Sequence, residues 1–422
     1  MLTNSRCTLR EFVVKPSTQA IGTEVENRGN GTPGEVFAAF LKLGVSSFGG
    51  PIAHLGYFRD ELVVRRKWID EAGYADLVAL CQFLPGPASS QVGFALGLLR
   101  AGPLGALAAW TAFTLPSAIL LLLFATVAAS IEGPVGTGLL HGLKIVAVAV
   151  VAQAVWGMAK SLAPDRERAS IALAGIVCVV FLAGAFGQIL ALAVGAIAGL
   201  VFCRNGTARE SAHLQFRVPK SLGYIALAAF ALLLGLLPLL AAVAGSQGLS
   251  LFDAFYRAGA LVFGGGHVVL PLLQSEVVAT GWVTEDAFIA GYGATQAVPG
   301  PLFTFAAYLG AVVGPQPNGV FGSAIALVAI FLPGMLLLVG ALPFWEGFRR
   351  HLPAQAAMRG ANAAVVGILG AALYDPVWTS AIFTPKDFTL ALAGFILLTV
   401  WKTPPWVVVV ICAAGGVLLA LF

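Results

Sequence analysis

Two cations stand inside apolar runs, each about two turns ahead of a glycine-rich helix breaker. Lys42 lies in FAAFLKLGVSSFGGP, ahead of Gly49, Gly50 and Pro51, and Arg257 lies in SLFDAFYRAGALVFGGGH, ahead of Gly264, Gly265 and Gly266. An ionisable group at membrane depth is costly and is usually retained for function, and a cation in low dielectric attracts an anion strongly. The plainer alternative is that both side chains snorkel to the interface. A second pair of breakers follows, Pro85-Gly86-Pro87 and Pro299-Gly300-Pro301, with Gln82 and Gln296 three residues before them. Their amides can donate to an oxyanion or serve as structural hydrogen bonds. His54 and His267 flank the first breakers, placed either for packing or to bind a ligand or carry a proton. Broken helices expose half-helix N-termini, whose free N–H groups and partial positive charge favour anions. No Ser/His/Asp set, metal-spaced cluster or paired carboxylate occurs within the apolar segments, so neither an enzyme nor a metal site or cofactor is expected. The residue types reach as far as an anion transporter with a cationic cavity; an anion channel is the rival reading.

Such residues need elements that hold them in a membrane. The chain has 422 residues, 59% hydrophobic and 10% charged, with a mean hydropathy of +0.90, more apolar surface than a soluble domain buries. Runs such as 103–129, 139–159, 221–244 and 320–343 approach or exceed the roughly 20 residues of a spanning helix and lack the alternation of barrel strands. The fold class is therefore an all-α integral membrane protein. The net charge of +4 is small and spread over loops, so no nucleic-acid partner is expected. The five scattered cysteines include no CxxC pair, which argues against a disulfide framework. Residues 1–34, polar and rich in Gly, Asn and Thr, read as a flexible cytoplasmic tail.

The breakers recur because the chain is a tandem duplication. Phe48-Gly49-Gly50 aligns with Phe263-Gly264-Gly265, Lys42 with Arg257, Glu61 with Glu276, Trp68 with Trp282, Gln82 with Gln296, Pro85-Gly86-Pro87 with Pro299-Gly300-Pro301, Leu115-Pro116 with Leu332-Pro333 and Gly142 with Gly360. The halves run over 35–203 and 251–422, joined by 204–250, a basic linker with one additional transmembrane helix. Trp68 and Trp282 read as interfacial anchors. Lys144 has no cationic counterpart, since Asn362 takes its place.

Lys and Arg set the expected orientation. The loop RDELVVRRKWID carries Arg59, Arg65, Arg66 and Lys67, while its counterpart QSEVVATGWVTED carries none; further along, residues 130–138 have none and the region 345–359 carries Arg349, Arg350 and Arg359. Corresponding loops thus fall on opposite faces, as in inverted-topology repeats. The charge pattern is consistent if 35–58 and 72–99, and their counterparts, are broken or re-entrant helical hairpins turning at the breakers. The crossings are then 103–128, 139–159, 170–183, 188–203, 221–245 and four counterparts, with the N-terminus cytoplasmic and the C-terminus periplasmic.

The ordered motifs FGGP…RRKWID…CQFLPGPASSQ and FGGGHVVLPLL…GWVTEDAF…TQAVPGPLFTF resemble the paired domains of the long-chain chromate transporter family. The resemblance covers about 35–422 and implies a bacterial inner-membrane exporter of chromate that confers resistance, with sulfate as the related tetrahedral dianion, working within the lipid bilayer; the sequence leaves the oligomeric state open, a homodimer being one option. It carries Phe48, Gly49, Gly50, Pro51, Trp68, Pro85, Gly86 and Pro87 and their second-half matches into the expected site. One departure is Gly266, which stands where the first copy has Pro51. The expected substrate-binding set is Lys42, Gly49, Gly50, Pro51, Gln82, Pro85, Gly86, Pro87, Arg257, Gly264, Gly265, Gly266, His267, Gln296, Pro299, Gly300 and Pro301.

Overall fold

A computed structural model describes residues 31–48, 50–128, 133–182, 185–204, 218–263, 266–348 and 351–421. All regular structure among them is helical. The first half contains α1 (Pro33–Ser46), α2 (Gly50–Phe58), α3 (Glu71–Phe83), α4 (Ala88–Ala128), α5 (Gly133–Leu162), α6 (Arg166–Phe181) and α7 (Ala185–Phe202). Helix α8 (Lys220–Ala244) links it to α9 (Gln247–Ala260), α10 (Val269–Leu273), α11 (Glu285–Thr295), α12 (Phe305–Val312), α13 (Gly319–Ala341), the single turn α14 (Trp345–Phe348), α15 (Leu352–Ala372), α16 (Pro385–Thr399) and α17 (Pro405–Leu421). The sequence sets these boundaries locally. Thr32 accepts from the Glu35 N–H to start α1 with Pro33 in its first turn, Asp70 accepts from the Gly73 N–H to start α3, and Thr384 and Asp387 cap each other's backbone at α16. Each cap satisfies donors that a helix start leaves open.

Five helices are long and apolar enough to cross a membrane: Ala88–Val127, Gly133–Leu162, Lys220–Ala244, Gly319–Phe344 and Leu352–Trp378. The first is not one straight rod. At Ala101 and Gly102 the backbone leaves helical geometry, with Gly102 at φ 65, and Gly97 comes to lie against Gly105 and Ala109. The chain therefore folds back there, and the lipid-length part is the stretch after Gly102, as the break between 72–99 and 103–128 in the sequence reading implies. In the second half α12 and α13 repeat the arrangement, with Gly310 against Gly322 and Ala326. Glycines at both contacts let two helix backbones approach closely.

The first breakers are also fold-backs. Lys42 Nζ lies 2.8 Å from Glu61 Oε2 and Arg257 Nη2 lies 2.9 Å from Glu276 Oε2, each pair 19 residues apart. In a continuous helix 19 residues span about 28 Å, so the chain reverses between Lys42 and Glu61 and again between Arg257 and Glu276, each time as a helical hairpin.

The halves are interlocked through their terminal helix pairs. Gly138 and Gly142 of α5 pack on Gly416, Cys412 and Ala413 of α17, whereas Gly360 and Ala364 of α15 pack on Gly195 and Gly199 of α7. Each half's long helix thus embraces the other half's last two helices. Helices α6, α7, α16 and α17 have 16, 18, 15 and 17 residues, short of the roughly 20 that a perpendicular crossing takes. Trp68 differs from expectation. It is buried at the base of the first hairpin, donating Nε1–H to Glu35 at 3.2 Å, with the Arg66 and Arg100 guanidinium groups 5.7 and 5.6 Å from its ring centre. A large ring under two cations packs the hairpin foot rather than facing headgroups.

Candidate functional site

The helix breaks of the two halves are joined by two matched hydrogen bonds. The Gly300 N–H donates to the Ser47 carbonyl at 2.9 Å, and the Gly86 N–H donates to the Val262 carbonyl at 2.8 Å. Ser47 and Val262 occupy equivalent positions at the two hairpin tips, and Gly86 and Gly300 are the equivalent centres of the two Pro-Gly-Pro turns. A broken helix in a membrane leaves N–H and C=O groups that lipid cannot satisfy. Here each half supplies the partner for the other's break. Because proline has no N–H, the glycine is the sole backbone donor inside each Pro-Gly-Pro. Gly86 and Gly300 have φ of 116 and 99, a region that disfavours any side chain.

The rest of the expected set is drawn into this crossing unevenly. Gly266 packs on Pro51, and Gly50 faces the ring of His267. Gly86 and Pro87 lie against Gly334, and Gly300 lies against Ser117, the Phe113 carbonyl and the Gly44 carbonyl. Pro299 and Pro301 are buried. Gln296 lines a small crevice with Gly50, Thr295, Val298, Gly300, Leu302 and Pro405, whereas Gln82 is exposed on α3. The aligned glutamines therefore do not share a surroundings. Gly49, Gly264 and Gly265 lie outside the described residues. The crevice measures about 20 Å³, room for roughly one water and too little for a tetrahedral oxyanion.

Lys42 and Arg257 are held on the hairpin limbs by carboxylates. Glu61 receives Lys42 at 2.8 Å, Arg65 at 2.9 Å and Arg66 at 2.8 Å. Although burial opposes its ionisation, these hydrogen bonds hold its carboxyl down at about 2. Arg257 bridges Glu276 at 2.9 Å and Asp253 at 3.0 Å. Burial raises the Glu276 carboxyl; Arg257 opposes the rise and neighbouring Asp253 adds to it. The alignment places Glu61 opposite Glu276, but only the fold-back shows that they are the counterions of Lys42 and Arg257. The histidines differ too. His267 Nδ1 is 2.6 Å from the Tyr292 hydroxyl, while His54 Nδ1 is 3.4 Å from Ser89 Oγ. Lys144 pairs with Asp286 at 2.7 Å, contacting α11 of the other half.

Sequence reasoning passed over the buried polar side chains Ser47, Gln91 and Ser117. Gln91 Nε2 donates to the Pro85 and Gly334 carbonyls, 2.9 Å each, and so ties the first Pro-Gly-Pro turn to α13. Their signal was present: at the aligned second-half positions stand Val262, Phe305 and Gly334.

The paired breaks, duplicated and interlocked, agree with a family model described as chromate transporter, which matches residues 34–200 and again 249–417. The chain belongs to the chromate transporter family. It is 32% identical over 392 residues to a chromate transport protein of Pseudomonas aeruginosa, covering 90% of each chain. A chromate transport protein of Cupriavidus metallidurans is 26% identical over 415 residues, 96% of each chain. An uncharacterized transporter of Methanocaldococcus jannaschii is 26% identical over 335 residues, 78% of this chain and 80% of its own. No solved structure matches the chain. The family is one of multi-pass membrane transporters, not of enzymes.

Proposed function

We propose that the protein carries chromate out of the cytoplasm across the bacterial inner membrane and thereby confers resistance, with sulfate handled as a related tetrahedral dianion. The substrate follows from the relatives named as chromate transport proteins. The observation that carries the mechanism is the crossing, where Gly300 bonds Ser47 and Gly86 bonds Val262. Broken helices that meet at one point form a natural hinge and present backbone groups to a bound ion. The reciprocity of the two bonds, and of the α5–α17 and α15–α7 contacts, supports a two-fold relation between halves. Together with the opposed Lys and Arg loops it favours inverted repeats, with the N-terminus cytoplasmic and the C-terminus periplasmic. Breaker residues Gly49 to Pro51, Pro85 to Pro87, Gly264 to His267 and Pro299 to Pro301 form the binding region in this reading, with Gln82 and Gln296 beside the turns. Lys42 and Arg257 then attract the anion only when their carboxylates release them.

The narrow crevice favours a carrier over a channel, because passage needs a change of shape. Coupling is by exchange against another anion, or by proton movement through a histidine or the substrate. The test is chromate flux in proteoliposomes, with and without sulfate on the opposite side and with an imposed pH gradient. Saturable counterflow supports a carrier. Flux linear in chromate at all concentrations overturns it, and no chromate flux at all overturns the substrate.

A further inference from the structure

The two halves meet in a two-fold pattern of backbone bonds, yet the polar side chains around the crossing belong mostly to the first half. Ser47, His54, Ser89, Gln91, Thr114 and Ser117 are all buried. At the equivalent second-half positions stand Val262, Val269, Phe303, Phe305, Phe331 and Gly334. Five of these residues carry an atom with no hydrogen-bond partner within the protein: Ser47 Oγ, His54 Nε2, Gln91 Oε1, Thr114 Oγ1 and Ser117 Oγ. The same holds for Gln296 Nε2 on the crevice wall. Donors buried without partners are unfavourable, and several in one place call for a ligand.

These groups converge on Gly300. Ser47 accepts the Gly300 N–H through its carbonyl, which places its backbone at that turn. Ser117 Oγ stands so close to Gly300 that a Cβ there would collide with it. Gln296 shares the crevice with Gly300, the His54 ring sits edge-on to the Phe113 ring, 5.4 Å between centres, and the Phe113 carbonyl lies close to Gly300. The mirror position around Gly86 is closed instead. There the Gln91 amide fills the space, its Nε2 donating to the Pro85 and Gly334 carbonyls while its Oε1 has no partner within the protein.

We propose that the transported anion binds in this one-sided cradle, where the Ser47 and Ser117 hydroxyls from the first half and the Gln296 amide from the second donate hydrogen bonds to a tetrahedral oxyanion. The proposal rests on the transport reading above and names its site. Neutral donors suit a transported dianion. Buried O–H and N–H dipoles hold charge well in low dielectric, and they avoid the fixed counter-charge that would slow release. The nearby cations Lys42 and Arg257 are already engaged by carboxylates. Donors on separate walls also suit oxygens that do not share one plane, as in tetrahedral chromate and sulfate, whereas those of nitrate are coplanar.

The test uses the full chain in proteoliposomes, measuring chromate counterflow with sulfate and nitrate as competitors. Ser47→Ala and Ser117→Ala are each expected to raise the half-saturating chromate concentration about tenfold, as loss of a hydrogen bond to a charged group does. Inhibition by sulfate weakens in parallel, while the melting temperature stays near that of the parent. Gln296→Glu, similar in shape but anionic, abolishes saturable flux without unfolding the protein. Ser323→Ala is the control: its buried hydroxyl already donates to the Ala307 carbonyl at 2.6 Å, so it loses stability but keeps the parent half-saturation. Parent-like half-saturation in both crossing serine variants, or an equal shift in Ser323→Ala, overturns the cradle. If the parent shows no chromate flux, the transport reading falls separately, and calorimetry with sulfate judges the cradle alone. Sulfate binding that Ser117→Ala abolishes then supports it, and no binding overturns it.

Discussion

The two hairpins share one plan and differ in charge. In the first, a single carboxylate, Glu61, faces Lys42, Arg65 and Arg66. In the second, a single cation, Arg257, serves both Glu276 and Asp253. The same fold-back is thus pinned once by an excess of cations and once by an excess of carboxylates. The second arrangement is the more fragile, because Asp253 and Glu276 are largely buried, with side-chain exposures of 8% and 13%, while Lys42 is 52% exposed. A buried charge that loses its partner is far more costly than an exposed one.

The largest expected effect is therefore Arg257→Gln, which strands two carboxylates and should lower stability by about 3 kcal/mol, read as a fall in melting temperature in detergent. Arg257→Lys keeps a charge, and because one nitrogen, Nη2, reaches both carboxylates, a correctly placed ammonium should recover part of the loss. Glu61→Gln comes next, at about 2 kcal/mol, because its three cations retain partial access to water. If Glu61→Gln proves more damaging than Arg257→Gln, the ranking of the hairpins is reversed and the comparison fails.

The pH dependence separates the hairpins by sign. Glu61 is depressed, so its stabilisation is complete above the usual carboxylate value and is lost as pH falls toward about 2. Glu276 is raised, so its contribution declines as pH rises from that ordinary value through its elevated one. Glu276→Gln should flatten the loss of stability on the way up, and Glu61→Gln should flatten the loss on the way down. Melting scans from acid to neutral pH on both variants test this; an unchanged profile in either removes that carboxylate from the account.

Smaller still is Lys42→Gln. Glu61 keeps Arg65 and Arg66, so stability should change by under about 1 kcal/mol, and any drop in chromate flux then reports on the ion path rather than on folding. Last is a change with no energetic consequence. Val64 and Ala279 are exposed in the equivalent loops, and single cysteines there, in a background without native cysteines, should react with an impermeant thiol reagent from opposite sides. Reaction from one side only would make the halves parallel.

The hairpin tips were legible in the sequence because Gly49-Gly50-Pro51 and Pro85-Gly86-Pro87 interrupt apolar runs twice in the same order, and few other arrangements tolerate such breaks in lipid. The Lys42–Glu61 and Arg257–Glu276 pairs were half legible. Both members recur in register, but pairing across 19 residues needs the fold-back to be known. Trp68 misled because an aromatic beside basic residues looks interfacial, and only packing against Glu35 and Arg100 shows it buried. The exchange of terminal helices left no trace at all. Gly142 and Gly360 show that some helix comes close, and a glycine carries no information about which.

That exchange bears on the order in which the protein can be finished. Helix α5 emerges early in synthesis, but the surface that covers its glycines belongs to α17 at the far end of the chain. The first half must therefore wait in the bilayer with Gly138 and Gly142 uncovered until translation is almost over, and a chain released a few turns early would leave that seam open to whatever helix diffuses past.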